Sequence, residues 1–69
     1  MERFPVTSSN IVSVGYEPAE MVLEIEFQSG TYRYFSVPAS VHSGLMSASS
    51  HGRFFTRMIK DRYSFARIV

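Results

Sequence analysis

The chain has 69 residues, 45% of them hydrophobic and 14% aromatic, with no cysteine and a formal net charge of +1. A chain this short buries only about 60% of the surface its unfolded form exposes, so residues 1–69 are expected to make one domain around one dense core. The lack of cysteine argues against a small disulfide-framed secreted module, and no apolar run nears the ~18 residues of a membrane span; the expected setting is the cytoplasm, with no membrane partner.

Thr7, Ser8, Ser9 and Asn10 form a polar cluster that reads as a turn. Ile11 to Tyr16 (IVSVGY) is β-branched and aromatic, and reads as a first strand. Glu17 to Glu20 reads as a turn, because Pro18 fixes its own φ and disfavours helix at Glu17. From Glu20 to Gln28, Met21, Leu23, Ile25 and Phe27 alternate with Glu20, Glu24, Glu26 and Gln28, the pattern of a half-buried strand. Ser29-Gly30 gives a two-residue turn signal, and Thr31 to Val37 (TYRYFSV) returns as its partner.

That turn pairs Phe27 with Tyr32, Glu26 with Arg33 and Ile25 with Tyr34. It sets Tyr32 and Tyr34 on the face of Leu23, Ile25 and Phe27, the core side. Pro38 is suited to the first position of a helix in which Val41, Leu45 and Ala48 form one apolar stripe. Ser49 or Ser50 can cap a second helix, whose apolar face is Phe54, Phe55, Met58 and Ile59. Arg53, Arg57 and Lys60 fall within a stripe about 60° wide on its opposite side. The tail Tyr63 to Val69 (YSFARIV) is extended in character and suited to a sheet edge. The expected class is α+β: a small antiparallel sheet of three strands, with a fourth available from the tail, covered on one face by two short helices.

Catalytic and metal chemistry find little support. Serines, His42, His51 and Asp61 supply the residue types of a nucleophilic triad, but no G-x-S-x-G elbow surrounds any serine. A zinc site needs three or four of Cys, His and carboxylate, and two histidines nine residues apart are a poor start. The glycines match neither the dinucleotide fingerprint nor the phosphate-binding loop. Glu24 and Glu26 share a strand face, which reads as a solvated surface. The chain is therefore expected to be no enzyme, with no cofactor, no metal and no evident small-molecule substrate.

Charge is unevenly distributed. Residues 1–30 hold Arg3 against five glutamates, net −4, and residues 31–69 hold six cations against Asp61, net +5. Either the halves neutralise each other across strands, or the basic half meets an anionic partner. Arg33, Arg53, Arg57, Lys60 and Arg62 are the candidate nucleic-acid contacts, with Tyr32, Tyr34 and Tyr63 as aromatic neighbours. Basic side chains interleaved with aromatics suit single-stranded nucleic acid, cations following the backbone while rings stack on bases.

Ser8-Ser9-Asn10-Ile11, Gly15-Tyr16-Glu17, Leu23 to Phe27, Tyr32-x-Tyr34 and Val37-Pro38 come in an order that resembles the KTSC domain family. Val41, Leu45-Met46, Ala48-x-Ser50-x-Gly52, Phe54-Phe55, Ile59 and Tyr63 continue the similarity over nearly the whole chain. The chain differs from the family pattern at His42, where an aromatic is expected, and at Thr56, where Asn is expected. The resemblance implies a small domain found alone in bacteria and at the C-terminus of some lysyl-tRNA synthetases, and a role in binding RNA, tRNA among the candidates. The alternative is a protein–protein module that docks through exposed aromatics or pairs a sheet edge into a homodimer.

Overall fold

Five strands and two helices follow one another as β1 (Arg3–Pro5), β2 (Ile11–Glu17), β3 (Val22–Phe27), β4 (Gly30–Tyr34), α1 (Ala39–Ser47), α2 (His51–Met58) and β5 (Phe65–Arg67). They are seen in a computed structural model that describes residues 1–69. The strands form one antiparallel sheet in the order β1-β2-β3-β4-β5. The class is the expected α+β. The tail does return to the sheet, pairing Phe65 with Tyr34 and Arg67 with Tyr32.

One strand, β1, carried no sequence signal. It is three residues long and ends on Pro5, which lacks the backbone donor that a central strand requires. An outer strand tolerates that loss, and β1 lies at the sheet's edge beside β2.

The alternation in β3 sends Leu23 and Ile25 to one face, where Ile11 and Val14 from β2 and Tyr34 from β4 join them. Leu45 of α1, Phe55 of α2 and Ile59 beyond it close over that face, together with Val37. Seven of these side chains are less than 2% exposed, which fixes one face of the sheet as the floor of the core.

Three local expectations need correction. The β3–β4 turn is Gln28-Ser29 rather than Ser29-Gly30, because Gly30 already belongs to β4 and faces Phe27. The pairing therefore slides by two residues: Arg33 faces Glu24, not Glu26, and Tyr34 faces Leu23. A shift of two preserves the side each residue faces, so both tyrosines still point to the core. Pro38 stands just before α1, with extended ψ of 153°, rather than at its first position. Finally, α2 ends at Met58, and Asp61 takes a left-handed φ of 63° in the turn that follows. Lys60 thus lies beyond the helix, and Met58, expected on the apolar face, is 40% exposed.

Candidate functional site

The basic side chains fall into two groups on opposite sides of the sheet. On the polar side, Glu24 is only 6% exposed as a residue. Its carboxylate accepts from Arg3 Nη1 at 2.9 Å and from Arg33 Nε at 2.8 Å. Arg3 reaches Glu24 across β2 because the residue between them is Gly15; a Cβ there would lie 2.9 Å from the Arg3 side chain and 2.7 Å from the Glu2 carbonyl. Beside this row, the Ser13 hydroxyl donates to Glu26 at 2.7 Å. Arg33, a candidate contact in the sequence, is thus held by an acid on the side away from the helices.

On the helix side, α2 is capped by Ser50, whose hydroxyl accepts from the Arg53 backbone N–H at 3.2 Å. No acidic residue occupies its first turn, so the positive end of the helix dipole is uncompensated. Arg53 and Arg57, four residues apart and therefore on one face, are both exposed, and neither makes an ion pair. Arg53 borders two open clefts. One, of about 240 Å³, it shares with Arg57 and Phe54. The other, of about 480 Å³, has no apolar lining residue. Thr7 to Asn10 form one wall of that larger cleft, and Ser49, Ser50, Gly52, Arg53 and Thr56 form the other. Gly52 lets the two walls meet, since a Cβ there would lie 3.0 Å from Asn10 Oδ1.

At the other end of α2, five aromatic rings close a circle. Phe27 contacts Tyr32, Tyr32 contacts Phe65, Phe65 contacts Tyr34, Tyr34 contacts Phe55 and Phe55 contacts Phe27, with centroids 5.0–6.0 Å apart. These rings, with Ser29, Lys60 and Asp61, line a cavity of about 360 Å³. Tyr34 is buried and its hydroxyl pKa is pushed up to about 12, by burial first and then by Tyr32 and the Asp61 carboxylate. Arg67 sits 5.8 Å above the Tyr32 ring and donates to the Ser29 carbonyl at 2.7 Å. Arg62, exposed, donates from Nε to the Arg57 carbonyl at 2.9 Å. Tyr63 is half-buried against the core.

A further cleft, of about 450 Å³, lies between β1, β2 and α1, with Met1, Phe4, Tyr16, His42 and Met46 on its walls. There His42 stacks on Tyr16 at 4.6 Å and 10°, and the Tyr16 hydroxyl donates to the Val37 carbonyl at 2.5 Å. An imidazole thus occupies the aromatic's place. Its pKa is lowered by burial.

No group of three or more His, Cys, Asp and Glu side chains converges as metal ligands would. His51 Nδ1 lies 2.8 Å from the Leu45 carbonyl, a structural bond. No helix is long and apolar enough to cross a membrane. The structure brings Arg53 and Arg57 together, puts Lys60 and Arg62 at the far end of α2, and separates Arg33 from all four. Sequence reading passed over the polar cleft, although Ser8, Ser9, Asn10, Ser50 and Gly52, the residues around it, were among those carrying the family resemblance. It also passed over Phe65 as a site residue: the tail reads as an edge strand, but its pairing register, which sets this 55% exposed ring beside Tyr32 and Tyr34, is not a local pattern.

Comparison with known proteins places these features. Residues 7–63 match the model of the KTSC domain. The chain is 46% identical to a KTSC domain protein from Yersinia pestis of known crystal structure, with a TM-score of 0.96 over 99% of this chain and 97% of that one. It is 43% identical to an uncharacterized protein of Stutzerimonas stutzeri, over 99% of both chains. It is also 41% identical to part of the lysine–tRNA ligase of Nostoc punctiforme, over 87% of this chain but 11% of that enzyme.

Proposed function

The chain belongs to the KTSC domain family, and from that premise we propose that it is a non-enzymatic, cytoplasmic RNA-binding module whose contact surface is the exposed side of α2. The observation that carries this reading is the uncompensated positive charge at the start of α2. Arg53 stands free of any carboxylate on the wall of a cleft lined by hydroxyl and amide side chains, and Arg57 stands equally free one turn further along the helix. A helix start with no acid in its first turn, with Arg53 beside it and Arg57 one turn along the same face, is complementary to phosphate. Similarity to part of a lysine–tRNA ligase supports tRNA as the kind of RNA to test. Lys60 and Arg62 extend the positive surface past the end of the helix. Arg33 is left out of it, because it lies across the sheet and is bound to Glu24.

Titration with tRNA and with a single-stranded oligonucleotide at several salt concentrations tests this. Contacts from Arg53, Arg57, Lys60 and Arg62 release about four counterions, so log K falls with log[salt] at a slope near −3, about −0.7 per contact. Affinity weaker than about 10⁻⁴ M at 50 mM salt, below ordinary non-specific binding, overturns the reading. The cleft lined by Met1, Phe4 and Met46 would then be the surface to pursue, as a protein-docking site with little salt dependence.

A further inference from the structure

We propose that the ring of aromatics at the C-terminal end of α2 is a pocket for one nucleobase of the bound strand, with guanine preferred. This inference rests on the RNA reading above and adds to it the site where a base is read. Four of the five rings are accounted for by the fold: Tyr34 and Phe55 are buried, while Phe27 and Tyr32 are half-buried against the core. Phe65 is different. It sits 55% exposed on the three-residue outer strand β5, with centroids 5.8 and 6.0 Å from Tyr34 and Tyr32. An exposed ring beside a cavity walled by other rings is what a stacking base requires.

The polar groups at the cavity narrow the choice of ligand. Tyr34 is 5% exposed, and its hydroxyl makes no hydrogen bond within the chain, whereas Tyr16 donates to Val37 at 2.5 Å. No buried side-chain polar atom lacks a partner, so this unbonded hydroxyl opens onto the cavity, where it is a donor available to a ligand acceptor. Asp61 brings a carboxylate to the same cavity. A carboxylate only accepts hydrogen bonds, so it favours a base edge with two adjacent donors. Guanine offers N1–H and the N2 amino group side by side, and its O6 can accept from a phenol. Adenine, cytosine and uracil offer no such pair.

An aromatic box can also hold an organic cation, but two positive side chains oppose that here. Lys60 lines the cavity, and Arg67 already lies over Tyr32. The same lysine suits the phosphate attached to a base. The eight residues of α2 span about 12 Å at 1.5 Å per residue, so a short strand can follow the helix from the cleft at Arg53 to this pocket.

The experiment is NMR titration of the labelled protein with uridine hexamers carrying a single G, A or C, and separately with free GMP. The Phe65 ring and Asp61 amide resonances are followed, with the Arg53 and Arg57 signals as a record of binding elsewhere. The G-containing strand should bind about tenfold more tightly than the others and should move the Phe65 and Asp61 signals. Phe65→Ala should lower affinity by about tenfold, and Phe65→Leu, which keeps the apolar bulk, should do the same if the ring face is what matters. Asp61→Asn tolerates the left-handed backbone and should erase the preference for G while leaving most of the affinity.

If RNA moves the Arg53 and Arg57 signals but not those of Phe65, the pocket is refuted and the RNA reading stands. If GMP fills the pocket and the hexamers bind no better than GMP, the site belongs to a free nucleotide and the proposal fails. Pocket shifts with tetramethylammonium but not with any base would mark a cation cage and overturn it too. If neither RNA nor GMP perturbs any residue, this inference and the reading beneath it both fall.

Discussion

The two sides of the sheet treat charge in opposite ways. On the polar side, one glutamate holds two arginines drawn from β1 and β4, and a serine holds the next glutamate. On the helix side, Arg53, Arg57, Lys60 and Arg62 lie near no acid that binds them. The unequal charge of the two halves of the chain is therefore resolved only in part by folding. Where acid and base meet across strands, the cations belong to the architecture. Where the basic segment folds back as a helix, they remain available to an external anion. Arg33 and Tyr34 show the division at closest range: adjacent in sequence, one serves the polar side and the other the core.

The sharpest way to break that comparison is to remove each neighbour in turn. Tyr34→Ala deletes a ring that is 5% exposed and touches both Phe55 and Phe65. It should destabilise the fold by about 3–5 kcal/mol, as other large core truncations do, with or without RNA present. Denaturant unfolding measures this, and a folded variant of unchanged midpoint would show that Tyr34 belongs to a binding surface alone.

A smaller effect is expected on the polar side. Glu24→Ala leaves two guanidiniums without their acid, but Arg3 and Arg33 keep side-chain exposures of 33% and 45% and can rehydrate. The cost should be about 1–2 kcal/mol, in the range of hydrogen bonds to charged groups rather than of a fully buried pair. Unfolding at 50 mM and at 500 mM salt separates the contributions, since the partly exposed pairs weaken with salt. RNA affinity should not fall, because this network lies across the sheet from α2; a large fall would place the binding surface on the wrong side here.

What the sequence disclosed follows the same division. The alternation from Leu23 to Phe27, the apolar stripe of Val41 and Leu45, and the Ser50 cap are local patterns, and each specified its element. Met21, expected to open the strand, instead lies in the turn before it with a left-handed φ of 55°. The side faced by Tyr32 and Tyr34 was legible as well, because a two-residue slip in register preserves it. The partner of Arg33 was not, because that depends on which two residues make the turn. Two candidate features, the polar cleft and the ring of aromatics, join segments far apart in the chain. Asn10 meets Gly52 only after the sheet forms, and Phe65 meets Tyr32 only after β5 docks. No window of sequence contains either encounter.

On the helix side, Arg53→Glu with Arg57→Glu should cost no more than about 0.5 kcal/mol of stability, as exposed substitutions do. Glu at 53, near the start of α2, suits its dipole, whereas Glu at 57, in the last turn, opposes it, so these two effects on the helix offset each other. RNA binding should be lost nonetheless. A variant that unfolds at the wild-type midpoint and still binds RNA with wild-type affinity would move the interface elsewhere, whereas the same loss from Arg33→Glu would join the two sides into one surface.

The smallest expected effect concerns His42, whose pKa is lowered by burial. Its imidazole stacks on Tyr16 in a cleft that Glu2 and Glu17 also border, and desolvation lowers its pKa below the ordinary histidine value of 6.5. The folded state therefore favours the neutral ring. Stability from this source is fully present above about pH 6.5, the value expected in the unfolded chain. It is lost as pH falls through the lower value of the folded state. His42→Phe supplies a ring that cannot take a proton. Melting temperatures of the two proteins should differ by a constant amount above pH 7, and the gap should shift in favour of the phenylalanine variant as pH drops below 6. A gap that stays constant down to pH 4.5 would mean that the stack accepts the charged ring as readily as the neutral one, with Glu2 and Glu17 compensating for burial.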